Sequence, residues 1–165
     1  MCCDDRFLSR KRTPAVGSSV NMHVLRLHPG MDVYGELCTF VKECKMTAAF
    51  VVTCVGSVRN VKLRLANCTA SNRNDFLEKK ERFEIVSLTG TLGPDGCHLH
   101  ASLGNKDGEV IGGHVVRGGL IVFTTAEIVL GECEDAIFGR AFDAETGFAE
   151  LNPTSRQRKW VSRRG

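Results

Sequence analysis

Only one segment of this 165-residue chain carries helical spacing; almost everything after it alternates in polarity or runs apolar between turn residues. That confines the chain to a mostly antiparallel sheet with a helix beside it, an α+β fold. The helix is expected over residues 32–45. Asp32 is its N-cap, Val33, Leu37, Val41 and Cys44 share a face, and Lys42 and Lys45 complement the negative end of the dipole. Strands are expected at 22–27, 48–55, 58–65, 83–92, 97–103, 109–116 and 126–130, with a closing hairpin of 138–143 and 148–151 around Glu145-Thr146-Gly147. The run at 48–55 is continuously apolar, as in a strand buried on both faces. The second half of 58–65 alternates, as in a strand with one wet face. Gly93-Pro94-Asp95-Gly96 is a strong turn signal, and the asparagine-rich stretch 67–80 reads as a surface loop. One domain is expected over 22–151, after a mobile N-terminal segment (1–21) and before a basic C-terminal tail (152–165).

Charge separates the body from its ends. The net +3 comprises +2 over residues 1–21, +5 over residues 152–165 and therefore −4 over the body. A domain that reads DNA through its folded surface usually shows the opposite. No run approaches the ~20 apolar residues of a membrane span, and the first residues hold no apolar signal core. No membrane partner is expected, and a cytoplasmic or nuclear location is. The eight cysteines include no C-x-x-C pair and form no regular framework, so most are expected to be reduced, buried small hydrophobes.

The chemistry concentrates in the histidines. In His98-Leu99-His100 two imidazoles share one face of a strand, because side chains alternate with a period of two. Their Cα atoms lie about 6.5–7 Å apart. If Gly104-Asn105-Lys106-Asp107-Gly108 is a five-residue loop, Leu103 faces Glu109, His98 faces His114 and His100 faces Gly112. Directly opposed Cβ atoms are roughly 4.5–5.5 Å apart, so the three rings meet above the sheet. Gly112 and Gly113 leave room there. A slip of one residue would turn His114 to the other face. Three neutral imidazoles suit a divalent metal, zinc first, and leave a coordination position open for a small-molecule ligand. His23 and His28 have no partner at metal spacing and are expected to face solvent or to pack.

Several motifs then resemble a known family. Arg82-Phe83-Glu84-Ile85-Val86-Ser87-Leu88-Thr89-Gly90 is similar to the Gly-Arg-Phe-Glu-Ile-Leu-Ser-Leu segment of the PPC domain, conserved in plants and prokaryotes. Asp95-Gly96-Cys97-His98-Leu99-His100, Val110-Ile111-Gly112-Gly113-His114 and Thr124-Thr125-Ala126-Glu127-Ile128-Val129-Leu130-Gly131-Glu132 resemble its prokaryotic branch. The likeness spans residues 22–151. It implies a curved antiparallel sheet flanked by a helix, a homotrimer, and a metal on His98, His100 and His114. It also implies partner binding through Arg82, Phe83, Glu84 and Ile85. Phe83 and Ile85, two apart, fit core packing better than recognition. The chain departs from the plant pattern. It lacks the Arg-Gly-Arg-Pro core of an AT-hook, Lys11-Arg12-Thr13-Pro14 being a poor imitation, and Glu81 stands where the family usually has glycine.

Three functional classes remain open. One is a metal-bearing trimeric module that binds a ligand or partner. Another is a metal-dependent enzyme in which Glu84 or Glu127 moves protons; Glu127 is also a candidate partner for a ligand histidine. The third is a DNA-associated regulator contacting phosphates through Arg156, Arg158, Lys159, Arg163 and Arg164 with Trp160 stacking. No P-loop, dinucleotide fingerprint or Ser-His-Asp order names a substrate.

Overall fold

The structure, a computed structural model, describes residues 15–67, 69, 72 and 75–156. Its elements in chain order are β1 (Val20–Leu27), α1 (Val33–Glu43), β2 (Ala49–Arg64), β3 (Phe76–Gly93), β4 (Gly96–Gly104), β5 (Val110–Val115), β6 (Ile121–Cys133), β7 (Ala136–Asp143) and β8 (Phe148–Ser155). Six strands form one antiparallel sheet in the order β1-β6-β2-β3-β4-β5. The end of β2 also pairs with β5, Leu63 with Val115 and Arg64 with His114, so the sheet curls back on itself. β7 and β8 form a separate hairpin. The fold is α+β, as the sequence pattern implies.

α1 begins where expected because the Asp32 carboxylate accepts from the Gly35 backbone N–H at 2.9 Å, satisfying one of the helix's orphan donors. Val33, Leu37 and Val41 are buried and cover the concave side of the sheet, where Leu63, Leu92, Leu99, Leu103, Leu120, Ile128 and Leu130 complete the core.

Several expectations need correction. Residues 48–55 and 58–65 are not two strands but one 16-residue strand. Gly56-Ser57, which looks like a break, is a bulge. Gly56 has φ +143°, and a Cβ there would lie 2.0 Å from the Thr125 carbonyl oxygen, so only glycine lets β2 and β6 stay paired. The apolar run within β2 is buried on one face only: Val51 and Cys54 face the core, while Val52 and Val55 are exposed. Residues 76–80 are strand, not loop. Phe76, Leu77, Glu78 and Lys79 pair with Arg64, Leu63, Lys62 and Val61, and the outward Lys62–Glu78 ion pair supplies the polarity that mimics a loop. β1 starts at Val20 and β8 runs to Ser155. Just before β1, the Ser18 hydroxyl accepts from the Asp135 backbone N–H at 2.9 Å. The expectations for residues 1–14 and for the tail from 157 onward lie outside the described residues. Finally, Cys38 of α1 and Cys97 of β4 are joined as a disulfide, their Cα atoms 6.5 Å apart. Cys54 is buried and free as expected, whereas free Cys44 is exposed.

Candidate metal centre

β4 carries His98 and His100 on one face, with Leu99 fully buried between them. β5 supplies His114. Gly104 faces Val110, so the loop is residues 105–109, closed by the Asn105 N–H to Glu109 carbonyl bond at 2.9 Å. His100 therefore faces His114, and Ser102 faces Gly112. The expected register was off by two residues. A slip of two keeps every side chain on its face, so the three rings still converge. The role expected of Gly113 also changes. A Cβ there would stand 2.8 Å from the Arg64 carbonyl oxygen, so Gly113 lets β5 close onto β2, and Gly112 alone lies on the histidine side of β5.

The rings form a nearly equilateral triangle, with centroids 5.0, 5.1 and 5.4 Å apart. Nε2 of His98 and Nε2 of His100 are 3.1 Å apart. Two nitrogens bound tetrahedrally at about 2.0–2.1 Å would be roughly 3.3–3.4 Å apart, so little movement separates this pair from ligation. One nitrogen from each ring lies within 4.8 Å of the others. Nδ1 of His114 is buried with no hydrogen-bond partner among the described residues, an arrangement that leaves a costly polar atom in need of something. Burial, with the charge of Arg64 next, pushes the His114 pKa down to about 4. Burial and then Arg140 lower that of His98. Both rings are neutral at pH 7, the form that ligates. On geometry and chemistry the three residues fit a divalent metal. Such an ion would supply Lewis acidity, polarising a carbonyl or lowering the pKa of bound water.

The triad opens into a cavity of about 600 Å³, whose other wall is the β7–β8 hairpin. Arg64, Tyr34, Arg140, Phe148 and Glu150 line it beside the histidines. The hairpin docks through the Phe138 N–H to Thr47 carbonyl bond and the Thr47 hydroxyl to Ala136 carbonyl bond, both 2.8 Å. Sequence reasoning missed Arg64, Arg140 and Glu150. Arg64 was legible in principle: it ends a strand on the outward face, but its pairing with His114 depends on the closure of β2 onto β5.

The structure does not bring the other named residues to this cavity. Glu127 faces outward between Arg26 of β1 and Val55 of β2, and Glu84 is exposed opposite Ser57 and Gly104. Phe83 and Ile85 are core residues, at 3% and 5% exposure. Arg82 stacks its guanidinium 4.1 Å from the centre of the Phe123 ring. His23 hydrogen-bonds Glu132 at 3.2 Å and meets Phe40 edge-on, well away from the triad.

A curved α+β sheet with three histidines on adjoining strands defines the class, and comparison with known proteins agrees. The Plants and Prokaryotes Conserved (PCC) domain profile matches residues 15–134, and the chain belongs to that family. It is 41% identical over 139 residues to a protein of Synechococcus sp. (strain JA-3-3Ab) named bifunctional protein GlmU, covering 84% of this chain and 21% of that one. The chain thus spans about a fifth of the length of that relative. An Arabidopsis thaliana AT-hook motif nuclear-localized protein is 27% identical over 135 residues, covering 74% of this chain and 33% of its own length. Among solved structures, a hypothetical protein from Salmonella cholerae-suis superposes with a TM-score of 0.79 at 35% identity, over 88% of this chain and all of that one. A metal-containing protein from Archaeoglobus fulgidus superposes with a TM-score of 0.74 at 29% identity, over 84% and 98%. No helix among the described residues is long and apolar enough to cross a membrane.

Proposed function

We propose that this chain is a zinc-holding, homotrimeric PCC module that binds a small ligand or a partner, with the metal on His98, His100 and His114. The observation that carries the reading is the convergence of three imidazole rings, one with an orphaned buried nitrogen, at a ligand-sized cavity. A similar protein of Archaeoglobus fulgidus is described as metal-containing. Zinc is the ion assigned, because three imidazoles with a coordination position left open are its usual setting outside closed structural sites. Elemental analysis of purified protein tests this. One zinc per chain in wild type, and little in His98→Ala or His114→Ala, is the expected result; equal content in all three overturns it.

The trimer is supported by an unpartnered apolar face. Val24 is 79% exposed, Val55 55% and Val86 60%, with Met22, Val52 and Val20 on the same strands. A single chain rarely leaves such a patch to water. Light scattering should give the mass of three 18.1 kDa chains, about 54 kDa, and Val24→Lys should lower it. Arg82 and Glu84, the outward members of the Arg-Phe-Glu-Ile segment, are assigned to partner contact.

A DNA-associated role is the second reading, favoured by plant relatives named for an AT-hook and nuclear localisation. It requires the tail at 152–165, because the body is acidic. Salt-sensitive DNA binding that disappears when the tail is deleted would establish it, and no DNA binding by the full chain would remove it. Either reading places the protein in the cytoplasm or nucleus.

A further inference from the structure

Two arginines line the cavity beside the triad, and among the described residues neither is ion-paired to a carboxylate. Arg64, the last residue of β2, faces His114 across the strand closure, and its guanidinium carbon lies 5.7 Å from the centre of the Phe148 ring. Arg140, in the middle of β7, reaches in from the opposite wall. Its Nη2 donates to the Thr91 hydroxyl at 3.1 Å, and its backbone N–H donates to Asp95 at 3.1 Å. Among the described residues neither guanidinium has a carboxylate within ion-pair distance, although Glu150 and Asp95 also line the cavity. Both side chains are half-buried, and half-buried guanidinium groups in a cleft ordinarily face an acceptor.

The contact of Arg140 with His98 is the informative one. Its Nη1 lies 3.4 Å from Nδ1 of His98. Arginine has no acceptor, so Nδ1 must offer its lone pair. A metal held through Nε2 would leave the ring hydrogen on Nδ1, and a metal held through Nδ1 would consume that lone pair. In either case the contact becomes unfavourable once His98 ligates. Ligation by His98 would therefore free an arginine N–H beside the triad.

We propose that the cavity is an oxyanion subsite, in which Arg64 and Arg140 hold the carboxylate or phosphate of a small molecule next to the metal position. The inference rests on the metal reading and deepens it by naming the ligand class. The geometry also makes anion and metal binding mutually reinforcing, since whichever binds first breaks the Arg140–His98 contact that the other would otherwise have to break, and linkage makes that coupling reciprocal. A cavity of about 600 Å³ is far larger than a bare anion and fits a metabolite-sized molecule carrying one.

Calorimetric titration of zinc-loaded and metal-free protein with succinate and, separately, inorganic phosphate tests the proposal. Saturable binding of at least one anion is expected, tighter in the loaded protein, and the tighter of the two identifies the source chemistry. Arg64→Gln and Arg140→Gln should each weaken it about tenfold or more with zinc content unchanged, and Arg140→Lys should lose less. Loaded protein that binds neither anion, or binds them equally in both glutamine variants, overturns the subsite and leaves the metal reading standing. Protein that takes up no zinc yet binds an anion through the two arginines overturns the metal reading and keeps the subsite. Failure of both uptake and binding overturns both.

Discussion

Acidification separates this site from three ordinary surface histidines. An imidazole of pKa near 6.5 is about ten-elevenths protonated at pH 5.5, which costs a metal about tenfold in affinity per ring. Three such rings would lose about a thousandfold between pH 7.5 and 5.5. His114 titrates at about 4, lowered first by burial and then by Arg64, so at pH 5.5 it remains neutral and contributes no loss. His98 is also held below its ordinary value, by burial and then Arg140. The total loss should therefore be under about a hundredfold, with fewer than two protons displaced per metal. Competition titration of zinc against a chromogenic chelator, repeated at half-unit pH steps, measures it. Arg64→Met should steepen the dependence below pH 6 while leaving affinity at pH 7.5 unchanged. The same shift acts on the metal-free fold. Unfolded His114 takes up a proton near pH 6.5 and folded His114 only near 4, so the unfolded chain binds more protons between those values. Its contribution to stability thus falls as pH drops from about 6.5 to about 4 and is flat below. A thousandfold loss of affinity with three protons displaced would refute the burial argument.

Other consequences follow from packing. Leu99→Ala empties a fully buried site between His98 and His100, and should cost about 2–5 kcal/mol in urea unfolding and weaken the proposed metal binding as β4 relaxes. Asp32→Ala removes an acceptor shared at 2.9 Å by the backbone N–H groups of Gly35 and Gly118, and about 1–2 kcal/mol of stability should go with it. Under native iodoacetamide treatment with site-resolved mass spectrometry, exposed Cys44 should be alkylated. Cys54, whose thiol burial pushes up to about 12, should be protected until the chain unfolds. Early labelling of Cys54 would contradict its place in the core.

The histidine face was legible because it depends on parity alone. His98 and His100 share a side of any strand, and a register error of two residues left His114 on it. The helix was legible from Asp32 and the spacing of Val33, Leu37 and Val41. What the sequence hid depends on contacts between distant segments. Gly56 looks like a strand break until Thr125 is seen pressing on it, and residues 76–80 look like a loop until Val61 and Leu63 pair with them. Cys38 and Cys97 are 59 residues apart, and nothing local pairs them. Arg140 and Glu150 reach the site only because a hairpin beyond the matched family domain folds back over β4. Local chemistry gave Glu84 and Glu127 as proton-transfer candidates, but Glu84 lies opposite Gly104 at the far end of β4 and Glu127 lies on β6, outside the cavity.

Anomalous diffraction at the zinc edge, on crystals grown without chelator, bears most directly on the metal centre. The account predicts one peak per chain, about 2.0–2.1 Å from a ring nitrogen of each of His98, His100 and His114, with Arg140 turned away from His98. No peak, with Nε2 of His98 still hydrogen-bonded to His100 and Arg140 still against Nδ1, would contradict it.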